Sequence, residues 1–411
     1  MRSVAIAPEL IELLWPHAHL VRGRGNQDER LEILCLPSTT NARSLIPLKP
    51  ASVPAGVLTR RFNGRGLRGT AKRMALMTLL RAGVVTRGQS HVAHLLPRSV
   101  IGLAEFVSEH LQQDIIMAVH IGAPRANQKP VLELMDGTGR AVAFGKLGVN
   151  PLTDQLVRAE TSALTVLASR RLPHVMHPTV LARLSWQGHP LLLQSPLPVE
   201  RATRPPAALV ATAAREVAGP SETHRGYLSE SGFFSRLSAR LSSLPPSEVG
   251  ELLNNSLLAL ASERARLSFC AWHGDWTPWN MAAAANRLMV WDWERYDSEV
   301  PEGFDQLHHA FQSAVQRNPR GAPVHARKLV ARAPQVLGWM DELTARATTR
   351  LYFLEIASRY LKDGQARSGG RLGHVLPWAA AALTSTQPRF ASNDPRRSEV
   401  RHEQHPDSPT A

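Results

Sequence analysis

The order of short apolar runs between residues 113 and 198 most constrains the fold of this chain. Three runs with strand character come first, then a segment with helical spacing, then two further runs with strand character, at residues 114–121, 131–135, 141–147, 153–169, 180–186 and 190–195. Asp136-Gly137 lies between the second and third runs, and Asp-Gly suits the tight turn of an antiparallel hairpin. We therefore predict an antiparallel sheet that carries one helix.

Composition and periodicity divide the rest of the chain. Residues 1–112 form an extra N-terminal region of unknown role, with a strand predicted at 31–36 and helices at 67–83 and 100–112. Residues 199–385 are mainly helical, broken by a loop and a short strand at 271–295; the predicted helices lie near 205–218, 230–242, 247–268, 303–316, 324–345 and 347–363. Residues 386–411 are polar and rich in proline, which predicts a disordered tail.

Bulk composition excludes several classes of protein. Two distant cysteines, Cys35 and Cys270, match no metal-binding spacing, which favours a reduced, cytoplasmic setting. The first twenty residues do not resemble a signal peptide, and no apolar run is long enough to span a membrane. Nothing in the sequence predicts an oligomeric state.

Positive charge is concentrated near the N-terminus. The net charge is +14, and residues 60–87 contain eight arginines and lysines without one acidic residue. Such a block can attract nucleic acid, anionic lipid or an anionic substrate. The alternative is a solvated basic helix, because no nucleic-acid-binding motif accompanies the charge.

The motif H-G-D-W-T-P-W-N at residues 273–280, followed by D-W-E at 292–294, is the strongest local indication of chemistry. An aspartate, an asparagine five residues later and an aspartate that ends a short strand can converge on one point. Magnesium prefers oxygen ligands. Asn280 and Asp292 can supply them, which leaves Asp275 free to accept a proton from a hydroxyl group.

These residues resemble the aminoglycoside phosphotransferase and choline kinase group of small-molecule kinases, which are related in fold to protein kinases. The resemblance implies an α+β, two-lobed protein kinase-like fold, with a small antiparallel-sheet N-lobe at 113–198, a mainly helical C-lobe and nucleotide in the cleft. It also implies that Asp275 is the catalytic base, that His273 braces the loop, and that Asn280 and Asp292 bind Mg²⁺. Asp305 resembles a family aspartate that steadies this loop; the alternative is an ordinary acid in the first turn of a helix.

A second pair of charged residues supports this interpretation. Strand alternation places Lys146 on one face of its strand, and Glu160 lies within an apolar helical stripe of Leu156, Leu164 and Leu167. A carboxylate in such a stripe is costly unless it is paired. Lys146 and Glu160 resemble the strand lysine and helix glutamate of kinases, where the lysine holds nucleotide phosphates. The alternative is a surface lysine and a glutamate at the edge of its stripe.

The remaining nucleotide contacts are less specific. The loop at 122–130 has one glycine, and Arg125 or Lys129 in it can touch phosphates, although an ordinary exposed hairpin loop fits as well. Residues 194–198, beginning with Gln194, lie where the family's hinge binds the base, and they do not distinguish ATP from GTP. The pair His308-His309 has no partner at metal-ligand spacing, so zinc is not expected.

The sequence therefore predicts a phosphotransferase that uses ATP or GTP and Mg²⁺ to phosphorylate a hydroxyl group of a small molecule. A sugar, an amino alcohol, an aminoglycoside or a metabolite with an acidic group would each fit as acceptor. Two alternatives remain: a catalytically silent kinase-like scaffold that binds nucleotide, and a nucleic-acid-associated protein that uses the basic segment 56–90.

Overall fold

The structure is a computed structural model that describes residues 2–3, 7–22, 31–62, 71, 74–78, 91–96, 102–122, 124–199, 202–219, 225–368 and 371–384. Most of the basic segment 56–90 and the predicted tail 386–411 lie outside the described residues. Within the described part, no helix combines the length and apolar character needed to cross a membrane.

The strands, in chain order, are β1 (Arg2–Ser3), β2 (His19–Arg22), β3 (Leu31–Leu36), β4 (Ser44–Pro47), β5 (Val92–Leu96), β6 (Ile116–Ile121), β7 (Pro130–Met135), β8 (Ala141–Leu147), β9 (Val175–Met176), β10 (Val180–Trp186), β11 (His189–Gln194), β12 (Arg225–Tyr227), β13 (Arg266–Trp272), β14 (Met281–Ala284), β15 (Arg287–Val290) and β16 (Asp297–Pro301). The helices are α1 (Pro8–Leu14), α2 (Ser52–Phe62), α3 (Leu103–Leu111), α4 (Pro151–Ala168), α5 (Ala207–Ala218), α6 (Gly232–Ser242), α7 (Glu248–Ser262), α8 (Phe304–Arg317), α9 (Ala322–Ala331), α10 (Ala333–Val336), α11 (Glu342–Lys362) and α12 (Val375–Leu383).

One sheet of ten strands dominates the N-terminal half of the protein. Its order is β1-β2-β5-β3-β4-β6-β7-β8-β11-β10, and its neighbouring strands are antiparallel. The pairing of β4 with β6 sets Ser44 opposite His120 and Leu45 opposite Val119. The predicted domain boundary at residue 112 falls between α3 and β6, so the sheet continues across it.

Helices cover both faces of this sheet. On one face, apolar residues of α1 and α3 pack onto the strands, among them Leu14, Leu103 and Val107. The other face carries α2, through Val53 and Val57, and α4, which lies over β8 and β11. Asn150 caps α4 by accepting a hydrogen bond from the Thr153 N–H at 3.0 Å, and it thereby fixes where this helix begins.

The C-terminal half is a helical lobe around α11, whose middle turns are buried on almost every side. The prediction of an α+β protein with an antiparallel sheet and a mainly helical lobe is thus confirmed. The sheet is larger than predicted, because β1 to β5 extend it before residue 113. The strands predicted at 31–36, 141–147 and 180–186 have the expected bounds in β3, β8 and β10.

Two helix predictions in this lobe are wrong. The run at 247–268 breaks after α7, where Arg264 adopts a left-handed φ of 52°, and β13 follows. The run at 324–345 divides into α9, α10 and the start of α11. Pro334 lies at the start of α10, and the Asp341 side chain accepts a hydrogen bond from the Thr344 N–H at 2.9 Å, which starts a new helix.

Candidate active site

Strand β8 and helix α4 bring Lys146 and Glu160 together, as the residue pattern predicts. Lys146 Nζ lies 2.6 Å from both carboxylate oxygens of Glu160 and 2.7 Å from Oδ1 of Asp292. The Trp293 N–H also donates to Glu160, at 3.2 Å, which links α4 to the segment after β15. Three elements from both lobes therefore meet at one ammonium group, which we call the Lys146 cluster (Lys146, Glu160 and Asp292).

The charges of the Lys146 cluster stabilise one another. Burial alone would lower the pKa of Lys146, but the carboxylates of Asp292 and Glu160 raise it well above its ordinary value, so the ammonium stays charged. Burial works in the opposite direction on Asp292, yet the two lysines nearby, Lys146 and Lys129, hold its pKa well below the usual range. Asp292 is therefore an anion at any physiological pH.

Contacts to its backbone atoms hold the loop that carries Asp275 in place. Gly274 has a φ of 82°, and a Cβ at this position would collide with the carbonyl oxygen of Arg295. The buried carboxylate of Asp305, in the first turn of α8, accepts hydrogen bonds from the N–H groups of His273 at 2.8 Å and Gly274 at 3.2 Å. Asp305 thus contacts the loop directly, as the resemblance implied.

His273 lies beneath the same loop and is fully buried. Its Nδ1 accepts a hydrogen bond from the Asp275 N–H at 3.1 Å, and its Nε2 lies 3.1 Å from the carbonyl oxygen of Trp291. These partners require the proton to sit on Nε2. Burial lowers the pKa of His273 to about 4, so the ring is neutral and braces the loop without adding charge.

Both carboxylate oxygens of Asp275 accept hydrogen bonds. Asn280 Nδ2 donates to Oδ2 at 2.8 Å, and His308 Nε2 lies 3.0 Å from Oδ1. The Tyr352 hydroxyl lies 3.2 Å from Nδ1 of His308, which fits a neutral ring protonated on Nε2. Burial would raise the pKa of Asp275, but the hydrogen bond from His308 holds it below its ordinary value, so the carboxylate is oriented and ionised.

The sequence-based interpretation considered His308 only as a zinc ligand and missed its contact with Asp275. His308 lies three residues after Asp305 on α8, so the two side chains share a helix face. Because Asp305 was already expected to contact the loop, its helix face was a signal that His308 lies near the loop as well. Tyr352, on α11, gave no such signal.

Asn280 and Asp292 stand at the open end of one hairpin. Met281 pairs with Val290 in the β14–β15 register, and the Trp291 N–H donates to the Asn280 carbonyl at 3.1 Å. Asp292 has a φ of 73°, a left-handed conformation that is uncommon for residues other than glycine and that aspartate adopts more readily than most. Carboxylate oxygens of Glu160, Asp292 and Glu294 lie within 4.8 Å of one another. Glu160 and Glu294 are paired with lysines, so Asp292, whose side chain is partly exposed, offers the accessible carboxylate oxygen for a hard divalent cation.

The nucleotide-side candidates differ in their surroundings. Gln194 ends β11 opposite Phe144 and is buried, and no hydrogen-bond partner for its Oε1 occurs in the described part of the chain. Arg125 is exposed and lines a cavity beside Asp275. In the same loop, Lys129 forms an ion pair with Glu294, and Asn127 donates to Glu294 at 3.1 Å, so the loop lies against the helical lobe.

Comparison with known proteins gives structural similarities only. No protein-family model and no curated protein matches the chain. A thermostable mutant of the aminoglycoside phosphotransferase APH(4)-Ia, in a ternary complex with ADP and hygromycin B, matches with 12% identity and a TM-score of 0.46, over 69% of this chain and 99% of that one. A putative fructosamine-3-kinase from Haemophilus somnus 129PT matches with 14% identity, a TM-score of 0.42 and coverages of 69% and 96%.

A third solved structure, the macrolide 2'-phosphotransferase of Brachybacterium faecium, has 15% identity and a TM-score of 0.39, with 69% of this chain and 98% of that chain covered. Each of these three solved structures is described as a phosphotransferase or kinase of a small molecule. At these levels of identity and superposition, a functional assignment has to rest on the residues of the site itself.

Proposed function

We propose that this protein transfers the terminal phosphoryl group of magnesium-bound ATP or GTP to a hydroxyl group of a small molecule. The observation that carries the proposal is the Lys146 cluster, in which one ammonium group lies 2.6 Å from Glu160 and 2.7 Å from Asp292. Charges this deeply buried are costly to assemble. A charged cluster that joins two lobes beside an ionised Asp275 is more consistent with a phosphate-binding site than with an ion pair that only stabilises the fold.

Asp275 acts on the acceptor. Its side chain is 31% exposed, so it is accessible from the cavity while His308 and Asn280 hold both of its oxygens. The acceptor oxygen forms the new bond to the terminal phosphorus, the bond from that phosphorus to the bridging oxygen breaks, and the nucleoside diphosphate leaves. The hydroxyl proton passes to Asp275.

Lys146 orients the phosphates, and Glu160 fixes the direction of its side chain. Because Lys146 stays charged, it can stabilise negative charge on the phosphates without taking up or losing a proton. Mg²⁺, when bound, supplies electrostatic stabilisation of the charge that develops on the phosphate oxygens. Asn280 and Asp292 are the residues that would hold it, and Arg125 and Gln194 are proposed to contact the nucleotide.

The test is Asp275→Asn, which keeps the size of the side chain and removes the base. We expect phosphoryl transfer to fall by about 10³-fold, because general-base catalysis contributes about 10²- to 10⁴-fold. Nucleotide affinity, measured by calorimetry, should change little. Transfer is measured against sugars, amino alcohols and aminoglycosides, with ATP and GTP in parallel.

A matched control is Asp114→Asn, since Asp114 is exposed and outside the site. It should retain full activity. Retained transfer by Asp275→Asn would refute the role of Asp275. Failure of the unaltered protein to bind either nucleotide would refute the proposed function as a whole.

A further inference from the structure

A cavity of about 440 Å³ opens beside Asp275, where an acceptor would have to lie. Its walls come from the 122–130 loop, the loop that carries Asp275, and the end of α11 with the segment that follows. Four arginines and three carboxylates make up its charged lining. The way these groups are paired determines which acceptor the cavity suits.

None of the three carboxylates is available to a cationic acceptor. Glu294 is paired with Lys129 and also accepts a hydrogen bond from Asn127 at 3.1 Å. Asp363 is paired with Arg295. The third carboxylate is Asp275, the proposed base. An acceptor with several ammonium groups would therefore find no free carboxylate for its charges among the described residues of this lining.

The arginines, in contrast, are in excess. Arg371 is exposed and its guanidinium lies 4.8 Å from the ring centre of Trp279. Within the described ranges no carboxylate lies at ion-pair distance from Arg371 or from Arg125. Arg359 donates to the Gly274 carbonyl at 3.0 Å and lies over the Trp272 ring, so it too is held by neutral groups.

An arginine that stacks on an aromatic ring is well suited to bind an anion. Stacking fixes the plane of the guanidinium and leaves its N–H edge free to bind a carboxylate or phosphate through two hydrogen bonds. Transfer from a nucleotide also brings an anionic phosphoryl group close to the acceptor. An anionic acceptor thus needs nearby positive charge, which this lining supplies.

We propose that the acceptor carries an acidic group, a carboxylate or a phosphate, in addition to its hydroxyl group, and that Arg371 stacked on Trp279 binds this group. This inference rests on the proposed function, because it concerns the acceptor of that reaction. It selects the acid-bearing class among the acceptors that the sequence left open.

The experiment compares matched acceptors that differ in charge. The hexose set is gluconate, glucose 6-phosphate, glucose and glucosamine; the three-carbon set is glycerate, glycerol 3-phosphate, glycerol and serinol. Phosphoryl transfer is measured with ATP and GTP, and equilibrium binding by calorimetry with a non-hydrolysable nucleotide present. We expect the acid-bearing members of a set to bind more tightly and to react faster than their neutral and amino counterparts. Comparison of the carboxylates with the phosphates identifies which acid is preferred.

Two variants test whether any preference for acid-bearing acceptors depends on the cavity. Arg371→Gln should raise the KM for acid-bearing acceptors about tenfold, the loss expected for a charge-assisted hydrogen bond, with kcat within about twofold. The control Arg367→Gln removes the same charge from an exposed residue outside the lining and should have no effect. Arg371 is itself exposed, so its replacement is not expected to unfold the protein.

Each result has one meaning. Preference for neutral or amino acceptors, or equal effects of the two variants on acid-bearing acceptors, would overturn the inference and leave the proposed function intact. Tight binding of acids that depends on Arg371, without transfer to any member, would support the inference and count against the proposed reaction. Acids that bind no better than their neutral counterparts would overturn the inference whether or not transfer occurs.

Discussion

Two buried ion clusters lie on the same face of the ten-stranded sheet. We expect one to take part in the proposed reaction and the other only to stabilise the fold. The first is the Lys146 cluster. The second, which we call the Glu133 cluster, comprises Glu133 on β7, Arg60 on α2 and His120 on β6. Glu133 lies opposite Phe144, and Lys146 lies opposite Val131, so the two clusters belong to neighbouring strands.

The carboxylate of the Glu133 cluster is buried between its two basic partners. One carboxylate meets two basic side chains, with His120 Nε2 2.8 Å from Glu133 Oε2, and Arg60 also donates to the Gly139 carbonyl at 3.0 Å. The side chain of Glu133 is 4% exposed. In the Lys146 cluster, one ammonium meets two carboxylates, and the side chain of Asp292 is 32% exposed. A buried ion pair alone does not indicate function; in the Lys146 cluster the group with an accessible side is a carboxylate, which can bind a cation.

The largest expected difference comes from Lys146→Met. Phosphoryl transfer should fall by about 10²- to 10³-fold, the loss typical of removing one stabilising contact to a reacting group. The measurement is kcat/KM for transfer. Because the replacement leaves Glu160 unpaired and buried, the double variant Lys146→Met, Glu160→Gln serves as a control for folding. It should be as well folded as the unaltered protein and still inactive, and an active double variant would contradict the role of Lys146.

Glu133→Gln should lower the stability of the protein and leave its activity nearly unchanged, the opposite of the result expected for Lys146→Met. The replacement leaves Arg60 buried beside a neutral partner, which should lower the free energy of unfolding by about 3 kcal/mol. The value of kcat under conditions where the protein is folded should stay within about twofold. Chemical denaturation followed by tryptophan fluorescence measures the first quantity. The double variant Arg60→Met, Glu133→Leu should recover most of the stability, and a loss of kcat in either variant would erase the distinction between the clusters.

The smallest effect concerns pH. His273 beside the Lys146 cluster has a pKa near 4 in the folded protein against an ordinary value of 6.5. The unfolded chain therefore binds a proton that the folded protein does not, so this contribution to stability is present above pH 6.5 and is lost as pH falls towards 4. The difference in unfolding free energy between the unaltered protein and His273→Asn should shrink by about 2 kcal/mol from pH 7 to pH 5.

Glu133 should respond in a lower pH range. Hydrogen bonds and charge from His120 and Arg60 outweigh burial and hold its pKa below the ordinary 4.5. Its contribution is present above that value and is lost only as pH falls through the lower, folded-state pKa. Protonation of Glu133 should therefore change the stability little between pH 7 and pH 5. Equal pH responses of the two variants would show that the clusters are not independent.

The parts of the fold that could be predicted depend on local pattern. Alternation along a strand and the period of a helix placed Lys146 and Glu160 on facing sides, and five residues of separation kept Asp275 near Asn280, whose side chains lie 2.8 Å apart. The turn at Asp136-Gly137 predicted the β7–β8 hairpin. Each of these inferences needed only residues close in sequence.

The unpredicted parts depend on distant residues. The pairing of Ser44 with His120 joins strands 76 positions apart, and the approach of Tyr352 to His308 joins helices 44 positions apart. Periodicity carries no information about which remote element fills the space beside a given face. The contact of Tyr352 with His308 and the Lys129–Glu294 pair could therefore not be read from the sequence.

The junction of β4 with β6 has a consequence for any shortened version of this protein. A chain that begins at residue 113 would leave β6 as an outer strand, with unpaired N–H and C=O groups at Val119 and His120 and with the apolar surface normally under α1 and α3 uncovered. Bare strand edges next to apolar surface promote intermolecular pairing and aggregation. Residues 1–112 thus cover an edge and an apolar face of the sheet that carries the proposed site, although they supply none of the proposed reacting groups.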